Sequence, residues 1–221
     1  MAKHAKDSRL LGGYPITVIP NGIDADFFRP MDKIQARIEL GLPLNKKIIL
    51  FGGVRIDGDS RKGGKLLEEA LQYYEKNIDD DVELLVFGTS KIALDISSKI
   101  HCLGYVSKEE IMKKAYSASD ATVVPSMYEN LPTVIMESLS CGTPVAAFNI
   151  GGNSDMIDHK KNGYLSEPYD TKQLAEGIAF CLNSNLDGQL STVARKKVLD
   201  CFRIEDVADQ YVNLYKSILN T

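Results

Sequence analysis

Few cysteines and histidines occur in this sequence, and none lies in the pattern of a common functional site. The four cysteines are far apart and match neither the ligand spacing of a metal site nor a disulfide framework: Cys102, Cys141, Cys181 and Cys201. Each lies in an apolar or helical context, so we expect four reduced, buried thiols. The three histidines are scattered, and none accompanies a serine or cysteine in a sequence typical of a nucleophile. We therefore expect no metal site.

Long apolar runs and an excess of basic residues are also missing. No run approaches the ~20 apolar residues of a transmembrane helix, and no signal peptide opens the sequence. The net charge is −4, with acidic and basic residues interspersed, so the basic stripe typical of nucleic-acid binding is absent. No internal repeat or low-complexity segment occurs. These observations predict a cytoplasmic protein without nucleic-acid partners.

Short apolar runs alternate with amphipathic stretches, and this alternation predicts the fold. The 221 residues are enough for one substantial core. Strands are predicted at 16–19, 47–51, 82–88, 100–106, 120–125, 144–148 and around 165. Helices are predicted at 2–11, 33–41, 65–75, after 90, after a capping box at 107–110, from 132, and at 171–182, 190–201 and 204–219. The pattern indicates an α/β fold with a doubly wound, Rossmann-like parallel sheet.

The stretch 126–144 follows a predicted buried strand and leads into a helix, with Pro132 suited to the first helical position. In parallel α/β sheets, ligands bind at the carboxyl ends of the strands. There a helix start offers free N–H groups and a partial positive charge to an anion. A phosphate group is the ligand that this arrangement favours.

Two carboxylates, Glu129 and Glu137, flank this helix start. Because the helix around Glu137 is apolar on nearly every side, we expect its carboxylate to be partly buried and to need hydrogen-bond donors, which ribose hydroxyls would supply. The alternative is that both are surface carboxylates stabilised by the helix dipole. The residues alone leave both interpretations open.

A second candidate phosphate site follows the first predicted core strand. The strand ends near Gly53, where backbone can approach a ligand closely, and the loop 54–64 is polar, glycine-rich and basic. Arg55, Arg61 and Lys62 supply the cations ahead of the next helix. The alternative is an exposed loop with solvated cations.

The segments 128–132 (YENLP) and 137–145 (ESLSCGTPV) resemble the E-x7-E segment of the family 4 retaining glycosyltransferases, the group 1 family with the GT-B fold. Five further segments resemble motifs of that family in the same order. They are VIPNGID at 18–24 with FFRP at 27–30, RKG at 61–63, GYV at 104–106, GGNSD at 151–155 and NGYL at 162–165. The resemblance covers residues 15 to 183. It implies that the chain is one half of a GT-B fold.

The resemblance also implies roles for individual residues. It assigns catalytic roles to Glu129, which would contact the hydroxyls of the donor sugar, and to Lys62, which would contact the pyrophosphate. Glu137 would bind the ribose. The remaining donor-binding residues that it implies are Gly53, Arg55, Arg61, Tyr105, Val106, Asn130, Leu131, Pro132, Thr133, Gly151 and Gly152, of which Tyr105 and Val106 would contact the base. Asp155 stands where the family usually has glutamate.

By this resemblance, residues 1–14 are a helical tail of the interdomain region. Residues 15–221 are then the carboxy-terminal, donor-binding domain, without the amino-terminal acceptor domain.

The implied activity is hexosyl transfer with retention from a nucleotide diphosphate sugar to a glycan or lipid-linked acceptor, in polysaccharide or glycoconjugate biosynthesis. No metal or other cofactor is implied. This half alone would be inactive, and the full enzyme would associate peripherally with the inner face of the membrane. The alternatives are a non-catalytic nucleotide-sugar-binding module and a nucleotide-sugar epimerase of the GT-B fold.

Overall fold

A computed structural model of the chain describes residues 2–53, 56–79, 81–185 and 187–219. Within them, six parallel strands form one sheet in the order β3-β2-β1-β4-β5-β6. The strands are β1 Lys47–Gly52, β2 Val82–Phe87, β3 Ile100–Cys102, β4 Ala121–Val124, β5 Val145–Phe148 and β6 Gly163–Ser166. The α-helices are α1 Ala2–Lys6, α2 Lys33–Leu40, α3 Gly64–Asn77, α4 Glu109–Ala118, α5 Thr133–Ser140, α6 Asn153–Met156, α7 Thr171–Asn183, α8 Gln189–Cys201 and α9 Ile204–Leu219.

The sheet is buried on both faces, which explains why its central strands are continuously apolar. Helices α2, α4, α5 and α8 cover one face, and α3 and α7 cover the other, each with its own hydrophobic cluster. The strand order reverses between β1 and β4. In doubly wound sheets a crevice opens at this point, beyond the carboxyl ends of the strands. The predicted α/β, Rossmann-like fold is therefore confirmed.

The amino-terminal segment differs from the prediction. Helix α1 ends at Lys6, and residues 7–14 form turns. The strand predicted at 16–19 does not form, because this segment pairs with no strand of the sheet. Further along the chain, Ile23 pairs with the segment between α8 and α9. The Ile23 N–H donates to the Phe202 carbonyl at 2.8 Å, and the Ile204 N–H donates to the Ile23 carbonyl at 3.0 Å.

The region between β2 and α4 holds three further differences. No helix forms after Ser90, because the Thr89 hydroxyl donates to the Lys91 carbonyl and accepts from the Lys91 N–H, which closes a turn. Strand β3 stops at Cys102, shortly before Gly104 turns the backbone into the left-handed region at φ +73°. The capping box predicted at 107–110 is wrong: the cap residue of α4 is Lys108, which makes no side-chain cap hydrogen bond.

The cysteines are all reduced, but only half of them are buried. Cys141 and Cys181 lie in the core, and burial raises the pKa of each thiol to about 12. Cys102 and Cys201 are exposed because they lie at the last residue of an edge strand and at the end of α8. Apolar neighbours in the sequence could not distinguish the end of an element from its middle.

Candidate functional site

Backbones approach very closely where β1, β2 and β4 end. A Cβ atom on Gly88 would lie 1.7 Å from the Gly53 carbonyl oxygen, and one on Gly63 would lie 1.9 Å from the Pro125 carbonyl oxygen. Both glycines have positive φ, +91° and +76°. Glycine is therefore required at both positions. These contacts bring the loops that follow the three strands together at the switch point of the sheet.

An open cleft of about 1220 Å³ lies at this edge. The structure brings many of the predicted site residues to it: Arg61, Lys62, Glu129, Asn130, Leu131, Gly151 and Gly152, with Asp155 and Tyr128 beside them. The cleft is also lined by residues that were not predicted as site residues, Lys3 and His4 of α1, residues 18–21 and Phe202. Residues 18–21 belong to the VIPNGID segment that resembles a family motif, but no pattern in the sequence indicates that they line a cleft, since their position depends on the pairing of Ile23 with the segment between α8 and α9.

An ion pair joins the two loops at the cleft. Lys62 Nζ lies 2.9 Å from Glu129 Oε1, and the side chains are 31% and 12% exposed. The loops are also joined through the backbone, since the Met127 N–H donates to the Arg61 carbonyl at 2.7 Å. A cation and a carboxylate are thus held together at the carboxyl ends of β1 and β4, the two strands that flank the switch point.

The loop at Gly151 and Gly152 packs directly against the backbone that carries Glu129. Gly151 has φ +54°, and a Cβ atom there would lie 1.9 Å from the Glu129 carbonyl oxygen. A Cβ atom on Gly152 would lie 2.2 Å from the Asn130 carbonyl oxygen. The two glycines therefore let two loops of the cleft meet without intervening side chains.

We expect Gly151→Ala to lower the stability of the fold by about 2 kcal/mol more than Gly41→Ala does. Both glycines have a left-handed backbone, at φ +54° and +66°, so both variants carry the ~1–2 kcal/mol cost of that conformation. Only at Gly151 does the new methyl group meet backbone, whereas nothing lies within 4 Å of a Cβ atom at Gly41. Urea unfolding of the two variants measures the difference. An equal loss of stability would show that the Gly151 contact does not hold the loops together.

The start of α5 points free backbone donors at this edge. Pro132 is buried and is the cap residue, so the helix begins at Thr133, one residue later than predicted. Thr133 is exposed, and within the described part of the chain no hydrogen bond is formed by the N–H groups of Leu131, Thr133 and Val134. The positive end of a helix dipole with unpaired N–H groups favours an anion.

Glu137 lies in the first turns of α5 and is partly buried, as predicted. Its Oε2 accepts a hydrogen bond of 2.7 Å from the hydroxyl of Tyr116, which is fully buried on α4. Burial raises the pKa of the Glu137 carboxyl, the Tyr116 hydrogen bond opposes this shift, and the nearby charge of Glu109 adds to it. The sequence analysis missed Tyr116. An aromatic residue on the buried face of an amphipathic helix does not indicate which side chain of another helix it contacts.

Other predicted site residues lie apart from the cleft or are otherwise engaged. Arg61 lies at the cleft but is 71% exposed and pairs with Asp59 of its own turn, Nε to Oδ1, at 2.8 Å. Tyr105 is 61% exposed and Val106 packs against the core, and neither lines the cleft. Gly53 is buried, and a Cβ atom there would lie 3.7 Å from Cε of Lys62. Arg55 lies outside the described residues.

The described residues contain no cluster of three histidine, cysteine or carboxylate side chains that could hold a metal ion. Among the same residues, no helix has the length and apolar character that a membrane span requires.

Comparison with known proteins finds a family model and related proteins that match most of the chain. The family model described as glycosyl transferases group 1 matches residues 32–197. A D-inositol 3-phosphate glycosyltransferase of Thermobispora bispora is 31% identical in an alignment of 182 positions that covers 76% of this chain and 42% of the relative. The chain spans about half the length of the curated relatives that it matches.

Solved structures contain the same fold, in two cases as part of a longer chain and in one case as an isolated domain. Sucrose-phosphate synthase from Thermosynechococcus elongatus is 26% identical, with a TM-score of 0.82, over 99% of this chain and 57% of that one. The carboxy-terminal domain of a group 1 glycosyl transferase, LpcC of Francisella tularensis, matches with a TM-score of 0.68 and 22% identity, over 83% of this chain and 100% of that one. HepE of Anabaena, solved with UDP-glucose, matches with a TM-score of 0.75 and 22% identity, over 91% of this chain and 57% of that one. At 22% identity, the last two likenesses concern the fold alone.

Proposed function

Since this chain belongs to the glycosyl transferases of group 1, we propose that its cleft binds the donor of a sugar transfer, a nucleoside diphosphate sugar. The observation that carries the proposal is the Lys62–Glu129 pair, with Nζ and Oε1 2.9 Å apart at the switch point of the sheet. A cation suits the pyrophosphate, and a carboxylate beside it suits the hydroxyls of the sugar that the pyrophosphate carries. The distance between the two groups is appropriate for adjacent parts of one ligand.

Sugar transfer requires that the nucleoside diphosphate leave as negative charge builds on its β-phosphate. Lys62 donates to that phosphate, and the N–H groups at residues 131, 133 and 134 point at the same anion. Preorganised donors of this kind stabilise the transition state because they need no rearrangement as the charge develops. Glu129 orients the sugar by accepting hydrogen bonds from its hydroxyls, and we do not assign it as a covalent nucleophile.

The other parts of the donor are assigned to neighbouring residues. Glu137 binds the ribose, and the backbone around Gly151 and Gly152 lies near the sugar and phosphates. Tyr105 and Val106 are assigned to the base from the motif resemblance. Gly53 lets the phosphates approach the end of β1. Arg61 would have to leave Asp59 in order to contact a phosphate.

The complete reaction requires more than this cleft. We assign residues 15–221 to the carboxy-terminal donor domain and residues 1–14 to a tail of the interdomain region, an assignment that rests on the motif resemblance. The proposed reaction is hexosyl transfer with retention to a glycan or lipid-linked acceptor, which the other half of a GT-B enzyme would bind. On that basis this chain alone binds donor but transfers little or no sugar. We place the whole enzyme in the cytoplasm, at the inner face of the membrane.

Calorimetric titration of the chain with UDP, GDP, ADP and their sugar conjugates tests the donor site. EDTA is included so that binding reports on the protein groups alone. We expect saturable binding of one nucleoside diphosphate in preference to the other two, and HepE, solved with UDP-glucose, makes UDP the first ligand to try. Absence of binding by all of them at millimolar concentration, in this chain and in a longer protein that includes the acceptor half, would contradict the proposal.

A further inference from the structure

A buried tyrosine supports the carboxylate that we assign to the ribose. The Tyr116 hydroxyl donates to Glu137 Oε2 at 2.7 Å and thereby joins α4 to α5. The position of Tyr116 is itself fixed by the core. Its ring meets Phe87 edge-on with centroids 6.4 Å apart, and the Thr143 hydroxyl donates to its carbonyl oxygen at 2.7 Å.

The Glu137 carboxylate has acceptor capacity that the protein leaves unused. Within the described residues, the Tyr116 hydroxyl is the one hydrogen-bond partner of this side chain, and it engages Oε2. A carboxylate offers about four lone-pair positions, so Oε1 and part of Oε2 remain available. Because a partly buried carboxylate needs donors, a ligand with two neighbouring hydroxyl groups suits the acceptor positions that Tyr116 leaves unused.

We propose that Tyr116 is a positioning residue for the ribose of the donor nucleotide: its hydroxyl holds the Glu137 carboxylate so that the free oxygen accepts hydrogen bonds from the ribose hydroxyls. The inference rests on the proposed function, since it requires a nucleoside diphosphate in this cleft. Tyr116 is buried beneath the carboxylate and does not touch the ligand. It selects for a ribose through the orientation of Glu137.

The chemical type of the supporting group matters as much as its place. A neutral hydroxyl fixes one oxygen and leaves the negative charge of the carboxylate for the ligand. A lysine or arginine in its place would pair with that charge and weaken the hydrogen bonds that the carboxylate accepts from a ribose. A phenylalanine would leave the carboxylate free to turn and would remove the one donor that favours its ionised form.

The test compares Tyr116→Phe with Tyr74→Phe. Tyr74 is also fully buried, but its hydroxyl has no hydrogen-bond partner within the described residues, and it lies in the cluster on the other face of the sheet. Both variants therefore lose one buried hydroxyl, but only the hydroxyl of Tyr116 contacts Glu137. Calorimetry measures the affinity of the 221-residue chain for the preferred nucleoside diphosphate and for its 2′-deoxy and 3′-deoxy forms.

We expect the wild type and Tyr74→Phe to prefer the ribose form, and Tyr116→Phe to reduce this preference about 10-fold by weakening ribonucleotide binding. The affinity for the deoxy form should stay unchanged. In a Glu137→Ala background, Tyr116→Phe should have no further effect on the preference, because the carboxylate that Tyr116 positions has been removed.

Three results would overturn the inference, and they are distinguishable. If Tyr116→Phe keeps its fold by circular dichroism and retains the full ribose preference, Tyr116 is not a positioning residue, and the donor site stands. If the wild type binds no nucleoside diphosphate even when the acceptor half is present, the proposed function fails and this inference fails with it. A preference lost equally in Tyr74→Phe would show that the effect comes from core stability and would also reject the positioning role.

Discussion

Lys62→Met is expected to bind the preferred nucleoside diphosphate about 100-fold more weakly than the wild type. Methionine keeps most of the aliphatic length that lies near Gly53, so the substitution removes the charge with little loss of packing. A charge-assisted hydrogen bond to a phosphate in a partly enclosed site contributes about 2–5 kcal/mol when it is deleted, and 100-fold corresponds to about 2.7 kcal/mol. Titration calorimetry at fixed ionic strength measures the change.

Lys65→Met is the matched control, because Lys65 lies three residues further on, in the first turn of α3, and is exposed. It should bind within about twofold of the wild type, since exposed charges are screened by salt. A second control varies the ligand: the effect of Lys62→Met should disappear with the nucleoside alone. A loss that is the same for nucleoside and nucleoside diphosphate would contradict contact between Lys62 and the pyrophosphate.

The effect of Lys62→Met on stability should be much smaller than its effect on binding. The substitution leaves Glu129 without its partner, but the lysine side chain is 31% exposed, so water screens the pair. Pairs of this kind contribute about 1 kcal/mol or less. A melting temperature within a few degrees of the wild type would separate lost binding from lost folding.

The sheet could be predicted because its strands are buried on both faces. A run such as Ile48–Phe51 has no interpretation other than a buried element, and its length and flanking glycines favour a strand over a helix. Failures came where structure depends on a distant partner. The segment 16–19 resembles a strand, but it pairs with no strand of the sheet, and its neighbour Ile23 pairs instead with Arg203.

The candidate site divides in the same way. Lys62 and Glu129 lie in separate motifs that follow neighbouring parallel strands. Because the carboxyl ends of such strands lie at the same edge of the sheet, the proximity of the two residues could be predicted from the sequence. The sequence could not predict the close packing of Gly151 on Glu129 or the hydrogen bond from Tyr116 to Glu137. Both contacts depend on how neighbouring elements are shifted and rotated relative to one another. Residues 18–21 and Phe202 line the cleft because Ile23 pairs with Arg203, between α8 and α9. No local sequence pattern predicts this pairing.

Glu137→Gln is expected to make the fold more stable while it makes the site weaker. Burial raises the pKa of Glu137 above its ordinary value of 4.5, so the folded state binds this proton more tightly than the unfolded chain. As the pH rises from about 4.5 through the raised pKa, the unfolded chain releases the proton first, and the stability of the fold falls. At neutral pH the full cost of the buried charge is present. Glutamine carries no charge and can still accept from Tyr116.

We therefore expect the Glu137→Gln variant to melt about 2–4 °C higher at neutral pH, the change that about 1 kcal/mol produces in a domain of this size. The gain should shrink as the pH is lowered and vanish below about pH 4.5, where both states of the wild type carry the proton. Glu110→Gln is the control, since it removes an exposed carboxylate of α4 and leaves the buried one in place. Scanning calorimetry from pH 4 to pH 8 measures both variants, and a stability gain that is independent of pH would reject the explanation.

Binding should change in the opposite direction, by about 100-fold. Hydrogen bonds to a charged group are worth about 1.5–3 kcal/mol each, and an amide can accept from one ribose hydroxyl but no longer offers a charged oxygen to either. A variant that melts higher and also binds less nucleotide cannot have lost affinity through misfolding. A rise in stability together with a fall in affinity would identify Glu137 as a residue whose buried charge costs stability and serves ligand binding. A variant with raised stability and unchanged nucleotide affinity would show that Glu137 does not bind the ribose.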